Sequence, residues 1–563
     1  MPMKKLRWQF LVVALTLVVV VLLLLTQQPS VNPILPEPVS GGIYTEALVG
    51  SFGRLNPLLD LNNPTDRDVD RLLFSSLIKF DSRGVPLPDL AESWGVSADG
   101  TVYNVTLRGN AIWHDGPPVT SDDVIFTLDL LRSQYSAYSP DVRSLWDGVQ
   151  ITRLNDKNIK FVLTEPFVPF LDYLTFGILP KHLLETVTPD QLANAGFNLA
   201  PVGSGPYIFD HLMIEGGKIA GLVVTSSKNY YGQVPFVEQI VFRYFPSAQA
   251  ALDAYQAGEV LGISQITPDV LPSALAETRL SFYSSRLPRL TLILLNLGDK
   301  QIPFFQDKKV RHALMLDLNR QWVVDKLLQG QGIVADSPIL PGTWAYYDGV
   351  AHIGFDPDAA VAQLKAAGYV LPPDGSVRAK DNVSLSFTMA YPNDNLHTQL
   401  AQTIQQDWAA IGVEVKLNAV SYDSLINDYL TPRTFQAALV DLDLSRSYDP
   451  DPYPFWHQAE ITGGQNYSQW DNRPASEYIE QARVVADPAI RTRLYRNFQV
   501  IFSTELPALL LYYPIYTFAV DERVQGVQAA PLFESADRYN RIAYWYLVTR
   551  HALDKTSQPT IGP

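Results

Sequence analysis

Between residues 88 and 132, the order of apolar and polar positions changes from a strand pattern to a helix pattern. Residues 101–107 place apolar side chains at every second position, which predicts a strand with one buried face. The run 115–118, Asp-Gly-Pro-Pro, is typical of a chain reversal. Thr120 or Ser121 then suits the cap of a helix whose first turn is acidic and whose apolar residues recur at helical spacing. These signals predict a β-turn-β-loop-α unit and carry no function by themselves.

The second half of the chain contains the clearest unit of alternating strands and helices. Residues 385–389 alternate as a strand, apolar residues recur at helical spacing over 396–411, and Gly412 suits the end of that helix. Residues 413–417 alternate again, and this strand–helix–strand order predicts two parallel strands joined by a crossover. The apolar run 435–440 is typical of a strand buried on both faces. We therefore predict a doubly wound α/β lobe.

Candidate ligand-binding residues follow the last of these strands, because open α/β sheets bind ligands beyond the carboxyl ends of their strands. Asp441 and Asp443 come directly after it and, being two residues apart, share a face. The next segment, 445–466, has no regular periodicity and is rich in aromatic residues, including Tyr448 and Trp456. Long loops inside a compact domain are usually functional. An aspartate after a strand is also a common turn former and loop aromatics often pack internally, so both interpretations stay open.

Composition narrows the function classes. A chain of 563 residues is too long for one core, so two or three domains are expected. The net charge of −15 disfavours binding to phosphate backbones, so no nucleic-acid partner is expected. The chain has no cysteine, and its sequence contains no nucleophile elbow, phosphate-binding loop or metalloprotease spacing of histidines. We therefore expect a protein that is not an enzyme, with no cofactor, no catalytic residue and no metal site.

The amino terminus has the pattern of an export signal: three basic residues precede an apolar run at 10–25. No small-residue cleavage site follows, so residues 1–27 are interpreted as an uncleaved membrane anchor in preference to a cleaved signal peptide. The basic end should stay in the cytoplasm, which leaves the chain after Gln27 outside. The proline-rich stretch 28–40 is predicted to be an extended tether. Either alternative places the protein in the periplasm or at the cell surface.

Several motifs, in the same order along the chain, carry a resemblance to one family. They are the stretch 90–126 with its LAESW and WHDG segments, Leu55-Asn56-Pro57, the PVGSGPYIF segment 201–209, the helix pattern 308–319, Asp449-Pro450-Asp451, and Asn466-Tyr467-Ser468 with Trp470. In these segments the chain resembles the family 5 extracellular solute-binding proteins, the peptide- and nickel-type receptors of ABC importers. The resemblance implies a two-lobed, periplasmic-binding-protein-like α/β fold with an extra inserted domain, and hence three domains.

By this resemblance, domain I is discontinuous and comprises 41–80, 203–290 and 505–555. The inserted domain II spans 81–202, and domain III, the second lobe, spans 291–504. Ligand is expected to enter between the open lobes and to be buried by hinge closure. The closed form should then dock on the membrane subunits of an ABC permease, and we expect the receptor to be a monomer attached to the membrane through its N-terminal helix.

The resemblance also implies ligand-binding residues. In peptide-binding members, an aspartate at the end of the strand before the Asp-Pro-Asp element pairs with the ligand's α-amino group. By position Asp443 is the best match and Asp441 the second, while Arg446 falls at that place in a gapless alignment. The further candidates are Tyr448 and Trp456 in the aromatic loop, Asn466 and Trp470 in the Asn-Tyr-Ser-x-Trp element, and Asn62 and Asn63 after the Leu-Asn-Pro turn.

Three ligand and function hypotheses stay open at this point. A peptide-like solute is the leading ligand, bound through strand-like main-chain hydrogen bonds and aromatic-lined pockets. An oligosaccharide is the runner-up within the same family, since aromatic platforms also suit sugar rings. The alternative from another class is a membrane-anchored extracellular hydrolase that uses Asp441 and Asp443 as a carboxylate pair.

Overall fold

A computed structural model gives the fold of most of the chain. It describes Thr16 and residues 35–81, 84–445, 448–528 and 531–552. The interpreted anchor at 1–27, apart from Thr16, the first part of the tether at 28–34, and Arg446 lie outside the described residues. Within the described ranges, no helix is both long and apolar enough to cross a membrane.

Strands and helices alternate through the described chain, so the predicted mixed α/β class is confirmed. The strands are β1 Leu35–Val39, β2 Ile43–Val49, β3 Ile78–Phe80, β4 Pro86–Pro88, β5 Ala91–Val96, β6 Val102–Leu107, β7 Gln150–Asn155, β8 Asn158–Val162, β9 Tyr207–Glu215, β10 Lys218–Ser226, β11 Gln239–Phe245, β12 Gly262–Ile263, β13 Leu280–Arg286, β14 Arg289–Leu295, β15 Gly332–Val334, β16 Ala379–Lys380, β17 Val383–Ser384, β18 Ser386–Pro392, β19 Glu414–Val420, β20 Ala437–Asp443, β21 Ala508–Asp521 and β22 Val548–Ala552. The α-helices are α1 Pro64–Leu73, α2 Ser121–Arg132, α3 Pro140–Asp147, α4 Lys181–Leu184, α5 Ala248–Gln256, α6 Leu271–Ala274, α7 Lys308–Leu316, α8 Arg320–Trp322, α9 Pro357–Ala366, α10 Asn395–Ala410, α11 Tyr422–Ser424, α12 Tyr453–Trp456, α13 Arg473–Val484 and α14 Pro488–Glu505. Short 3₁₀ helices lie at Val168–Leu174, Leu192–Asn194, Gly196–Leu199, Pro303–Gln306, Gln458–Ile461, Ser535–Tyr539 and Ile542–Tyr544, and π-helical turns at Val323–Leu327 and Leu425–Leu430.

One large sheet runs through the described molecule. Its 12 strands follow the order β19-β18-β20-β14-β21-β12-β2-β11-β10-β9, with β13 and β15 also paired to β21. Strand β21 is shared, because its residues 508–512 pair with β14 and its residues 515–521 pair with β13. We call β2 and β9–β13 the first half of the sheet, and β14, β15 and β18–β20 the second half. The two halves are therefore joined along β21 and by the short link 287–288 between β13 and β14.

The second half of the sheet matches the predicted doubly wound pattern. Strands β18 and β19 are parallel, and α10 connects them. Gly412 follows that helix with φ +83°, a conformation that favours glycine. The run 435–440 is buried on both faces as predicted, since Leu439 packs in one apolar cluster and Val440 in another. The strand continues to Asp443 rather than ending at 440, because its antiparallel pairing with β14 continues to that residue.

A separate antiparallel sheet, β5-β6-β8-β7, forms the centre of the segment between β4 and β9. Strand β6 confirms the strand predicted at 101–107, with side chains 103, 105 and 107 buried. Thr120 caps the helix Ser121–Arg132, and its backbone N–H donates to the carboxylate of Asp123 at 2.8 Å. The strand–turn–helix order read from the sequence is therefore present in this inserted segment.

A buried ion cluster ties both ends of the described chain to one helix. Arg538 donates to the carboxylates of Glu46, at 3.0 Å, and Asp68, at 2.6 Å. Glu46 lies in β2, Asp68 in α1 and Arg538 in the 3₁₀ helix Ser535–Tyr539. Burial alone would lower the pKa of Arg538, but the carboxylate of Asp68 and its other neighbours raise it above the ordinary value, so the guanidinium stays charged. The cluster fixes α1 against the first half of the sheet.

We predict that Arg538→Met destabilises the protein strongly, because it leaves two buried carboxylates without a cation. The expected loss of unfolding free energy is about 3–5 kcal/mol, measured as a shift of the urea transition followed by tryptophan fluorescence. Arg243→Met, which removes a partly exposed pair with Glu259, is the matched control and should cost at most about 1 kcal/mol. Equal losses in the two variants would contradict the role given to Arg538.

Candidate ligand-binding cleft

A cavity of about 650 Å³ lies where α1 and the turn before it, the inserted segment, the end of β20 with the loop after it, and the C-terminal residues 533–544 meet. This volume is in the range of ordinary small-molecule and peptide sites. The charged residues that line it are Asp60, Arg67, Asp70, Arg71, Lys79, Asp89, Arg108, Asp172, Asp443 and Glu534. The wall is therefore strongly polar, and it combines groups that are more than 300 residues apart in sequence.

The turn before the helix Pro64–Leu73 forms one wall and is held by side-chain hydrogen bonds. Asp66 accepts from two consecutive backbone N–H groups of the turn, at 3.0 and 2.8 Å. Asn63 caps the helix by accepting from the backbone N–H of Thr65, so its amide serves local structure. Asn62 is exposed and lines the cavity. Of the two candidate asparagines, only Asn62 therefore lines the cavity.

Two arginines of the same helix are engaged by acidic groups of the C-terminal segment. Arg67 donates to Glu534 at 3.2 Å, and Arg71 pairs with Glu534 and, at 3.4 Å, with Asp537. The charge of Asp537 raises the pKa of Arg71 although burial opposes this. These cations thus stabilise the wall and are not free charges in the cavity.

A second group of polar side chains surrounds Asp89. Its carboxylate accepts from the hydroxyl of Tyr231 at 2.6 Å and lies 4.0 Å from the ammonium of Lys79. Arg108 donates through Nε to the backbone carbonyl of Asp89 at 2.6 Å and lies over the Tyr231 ring at 5.5 Å. Burial raises the pKa of Tyr231, and the charge of Asp89 adds to the rise. Lys79 and Arg108 present positive charge to the cavity from this side.

The structure separates the two aspartates of β20. Asp443 is exposed, lines the cavity and accepts from the backbone N–H of Ser445 at 2.9 Å. Asp441 accepts from the hydroxyl of Thr291 at 2.5 Å and lies 3.6 Å from Nε2 of His397. Burial alone would raise the pKa of Asp441, but hydrogen bonding and charge attraction to His397 lower it. Asp441 is absent from the lining, so the two carboxylates do not face the cavity as a pair.

The loop after β20 crosses to the opposite wall. The ring of Tyr448 stacks on Phe80 at 4.1 Å and contacts Phe533 at 4.1 Å, and Tyr448 lines the cavity. The backbone N–H of Asp449 donates to the carboxylate of Asp172 at 2.7 Å. The loop after β20 thus contacts β3, the C-terminal segment and the inserted segment across the cavity.

Three of the candidates from the sequence lie in the core of the second half instead. Trp456 packs edge-to-face on Phe502 at 4.7 Å, and Trp470 packs on the same ring at 5.7 Å. Asn466 is buried, and its amide donates to the backbone carbonyls of His457 and Trp470. None of these three side chains lines the cavity. They hold the loop in place beneath the site.

Sequence reasoning missed most of the charged wall. Asp60, Asp70 and Arg71 come from the turn and helix after the Leu-Asn-Pro motif. Lys79 lies in β3, and Arg108 directly follows β6. One sequence signal could have indicated these residues. Acidic and basic residues alternate densely over 66–71 and apolar residues follow at once, and a helix with this pattern must bury some of its charged side chains. No group of three or more His, Asp or Glu suited to a metal ion occurs in the part of the chain that the structure describes.

Comparison with known proteins agrees with this architecture. The family model described as bacterial extracellular solute-binding proteins, family 5 middle, matches residues 85–465. The oligopeptide-binding protein AppA of Bacillus subtilis (strain 168) is 27% identical, covering 90% of this chain and 92% of its own length. The dipeptide-binding protein of Escherichia coli (strain K12) is 28% identical, covering 88% and 94%.

The structural comparison confirms the predicted periplasmic-binding-protein-like fold. The structure of AppA from Bacillus subtilis in complex with a nonapeptide superimposes with a TM-score of 0.73 at 26% identity. It covers 91% of this chain and 100% of the other. These relatives are named as binding proteins and not as enzymes. The match over more than half of the sequence shows that the chain belongs to family 5 of the bacterial extracellular solute-binding proteins.

Proposed function

We propose that this protein is the extracytoplasmic receptor of an ABC importer, and that it captures a peptide-like solute for delivery to the membrane subunits. The observation that carries the proposal is the 650 Å³ cavity with the exposed carboxylate of Asp443 in its wall. The names of the two relatives, and the nonapeptide bound to one of them, support the same ligand class for this chain.

The charges of the cavity suit a zwitterionic ligand. In our proposal, Asp443 binds the α-amino group of the peptide, while Lys79 and Arg108 offer positive charge to its carboxylate. A carboxylate bound to arginine or lysine forms a charge-assisted hydrogen bond, which is stronger than a neutral one. Exposed Asn62 can add a polar contact to the peptide backbone.

The two alternative functions have less support. The names of the relatives favour a peptide over a sugar, and two of the candidate aromatic platforms, Trp456 and Trp470, pack in the core of the second half instead of lining the cavity. A hydrolase that uses Asp441 and Asp443 would need both carboxylates at the substrate, yet Asp441 is engaged by Thr291 and His397. The binding-protein names of the relatives favour a receptor over catalysis.

We further propose that ligand binding closes the cavity by a hinge movement between domain III, at 291–504, and the rest of the chain. The short link 287–288 and the middle of β21 are suited to the hinge, because they are the described connections between the halves of the sheet. The contacts of Tyr448 and Asp449 across the cavity would hold the closed form. Residues 1–27 would keep the receptor at the membrane or be removed after export.

Asp443→Asn should weaken peptide binding, because the neutral amide cannot form a charge-assisted bond with an α-amino group. We expect a loss of about 10- to 100-fold, measured by calorimetry on the full chain in mild detergent with a library of di- to nonapeptides. Asp423→Asn, an exposed residue outside the cavity, is the control and should bind as the unchanged protein does. If no peptide binds the unchanged protein, the peptide proposal fails, whereas full affinity in Asp443→Asn removes only the role of Asp443.

Tyr448→Ala should favour the open form, because it removes the ring held between Phe80 and Phe533. We expect about tenfold weaker binding and a smaller ligand-induced decrease of the radius of gyration in small-angle X-ray scattering. Phe355→Ala removes an exposed aromatic ring of the same half, outside the cavity, and should change neither quantity. Unaltered compaction in Tyr448→Ala would contradict the proposed closure contact.

A further inference from the structure

Two buried aspartates in the cavity wall have no cation of their own. Asp60 is 5% exposed and Asp70 is 2% exposed, and both line the cavity. No arginine or lysine among the described residues forms an ion pair with either carboxyl group. Neither oxygen of Asp70 receives a hydrogen bond of normal geometry from a described group, although the backbone N–H of Asn56 and the carboxyl group of Asp60 lie close enough to act on its pKa. A buried carboxyl group with such poor donors is costly, so this part of the wall favours an added donor.

The neighbouring arginines do not supply that donor. Arg67 is engaged by Glu534 and by the backbone carbonyl of Leu61. Arg71 is engaged by Glu534 and Asp537. The charges of Arg67 and Arg71 lower the pKa of Asp60, but they do not overcome the effect of its burial. Because the same two guanidinium groups form their ion pairs with acids of the C-terminal segment, the two buried aspartates leave an excess of negative charge in this wall.

The pKa values of Asp60 and Asp70 reflect this excess of negative charge. Burial raises the pKa of Asp60 to about 7 and that of Asp70 well above its ordinary value, and the charge of Asp60 adds to the rise at Asp70. Two carboxyl groups in contact share a proton when no cation is present. An ammonium or guanidinium group would replace that proton and would satisfy acceptors that the chain leaves open.

The surroundings of the pair suit a long side chain with a charged end. Tyr138 and Trp146 line the same cavity, as do the apolar side chains of Leu131, Val142 and Phe176. The charge of Asp60 contributes to the raised pKa of Tyr138, which places this tyrosine beside the pair. Trp146 is fully buried, and its indole N–H has no acceptor among the described residues. Lysine and arginine bury an aliphatic stem against such walls and keep the charge at the tip, where an aromatic face also attracts it.

We propose that Asp60 and Asp70, with Tyr138 and Trp146 as walls, form an acidic pocket that binds the cationic end of a lysine or arginine side chain of the peptide ligand. The inference rests on the proposed peptide-receptor function and adds a preference for basic peptides. The α-amino group of the ligand is the other possible source of an ammonium ion, and in our proposal it goes to Asp443. The test has to distinguish these two sources.

The experiment uses tripeptides that carry one lysine at the first, second or third position, with alanine elsewhere. Each has a partner in which norleucine replaces lysine, since norleucine keeps the stem and removes the charge. Binding to the full chain in mild detergent is measured by calorimetry at neutral pH. We expect at least one lysine peptide to bind about tenfold tighter than its norleucine partner, and the preference to persist when the α-amino group is acetylated.

Asp60→Asn and Asp70→Asn test the pocket itself. Each should reduce the preference for lysine to about threefold or less while binding of the norleucine peptide changes little. Asp317→Asn is a matched control, because Asp317 is also buried and burial raises its pKa to about 7, yet it lies outside the cavity. Thermal unfolding of all three variants verifies that they are folded.

Each outcome has a distinct meaning. If the unchanged protein binds no peptide, the proposed function fails and the pocket assignment fails with it. If peptides bind without any preference for lysine, or if the preference survives both pocket variants, the acidic pocket is overturned while the receptor function stands. If the pocket variants weaken lysine and norleucine peptides equally and acetylation abolishes the effect, the pair binds the α-amino group, and the side-chain assignment is wrong.

Discussion

The buried cluster of Arg538 with Glu46 and Asp68 is the interaction on which the rest of the site depends. It holds the helix Pro64–Leu73 between the first strands of the sheet and the C-terminal segment. A buried charge left without its partner costs several kcal/mol, so the three groups can be satisfied only in this arrangement. Because the same helix carries Asp70 and Arg71, the ion cluster also fixes the position of this cavity wall.

The shared strand β21 gives the second constraint. One end of β21 pairs with β14 of the second half and the other end pairs with β13 of the first half, so this strand belongs to both halves. The loop after β20 reaches from the second half across the cavity. Tyr448 packs between the rings of Phe80 and Phe533, and the backbone N–H of Asp449 donates to the carboxylate of Asp172 in the inserted segment. Asp443 is therefore brought opposite to Asp60, Asp70 and Lys79, from which it is separated by more than 300 residues. A ligand in this cavity would contact groups from both sides, as the proposed receptor function requires.

The candidate residues show where local pattern is informative and where it is not. Asp443 lies in the cavity wall because it ends a strand of an open α/β sheet, and such positions are visible in sequence. Asp441 has the same spacing and face, yet Thr291 and His397 engage it, and neither partner is near it in sequence. Trp456 and Trp470 share the aromatic character of Tyr448 but pack on α14, whereas Tyr448 reaches the opposite wall. The sequence of an irregular segment does not indicate whether an aromatic side chain in it packs in the core or lines the cavity.

The sequence by itself determined the elements, the α/β class and the family, because side-chain periodicity, caps such as Thr120 and turn residues such as Gly412 act within a few residues of chain. The order of the family motifs along the chain then identified the fold. Only the tertiary structure decided which polar groups face the cavity. Among the described residues, Asp60 and Asp70 have no ion pair of their own, because Glu534 and Asp537, more than 450 residues further on, engage the nearby arginines. Electrostatic pairing depends on distance in space, and that distance is set by the fold and not by the spacing of residues in sequence.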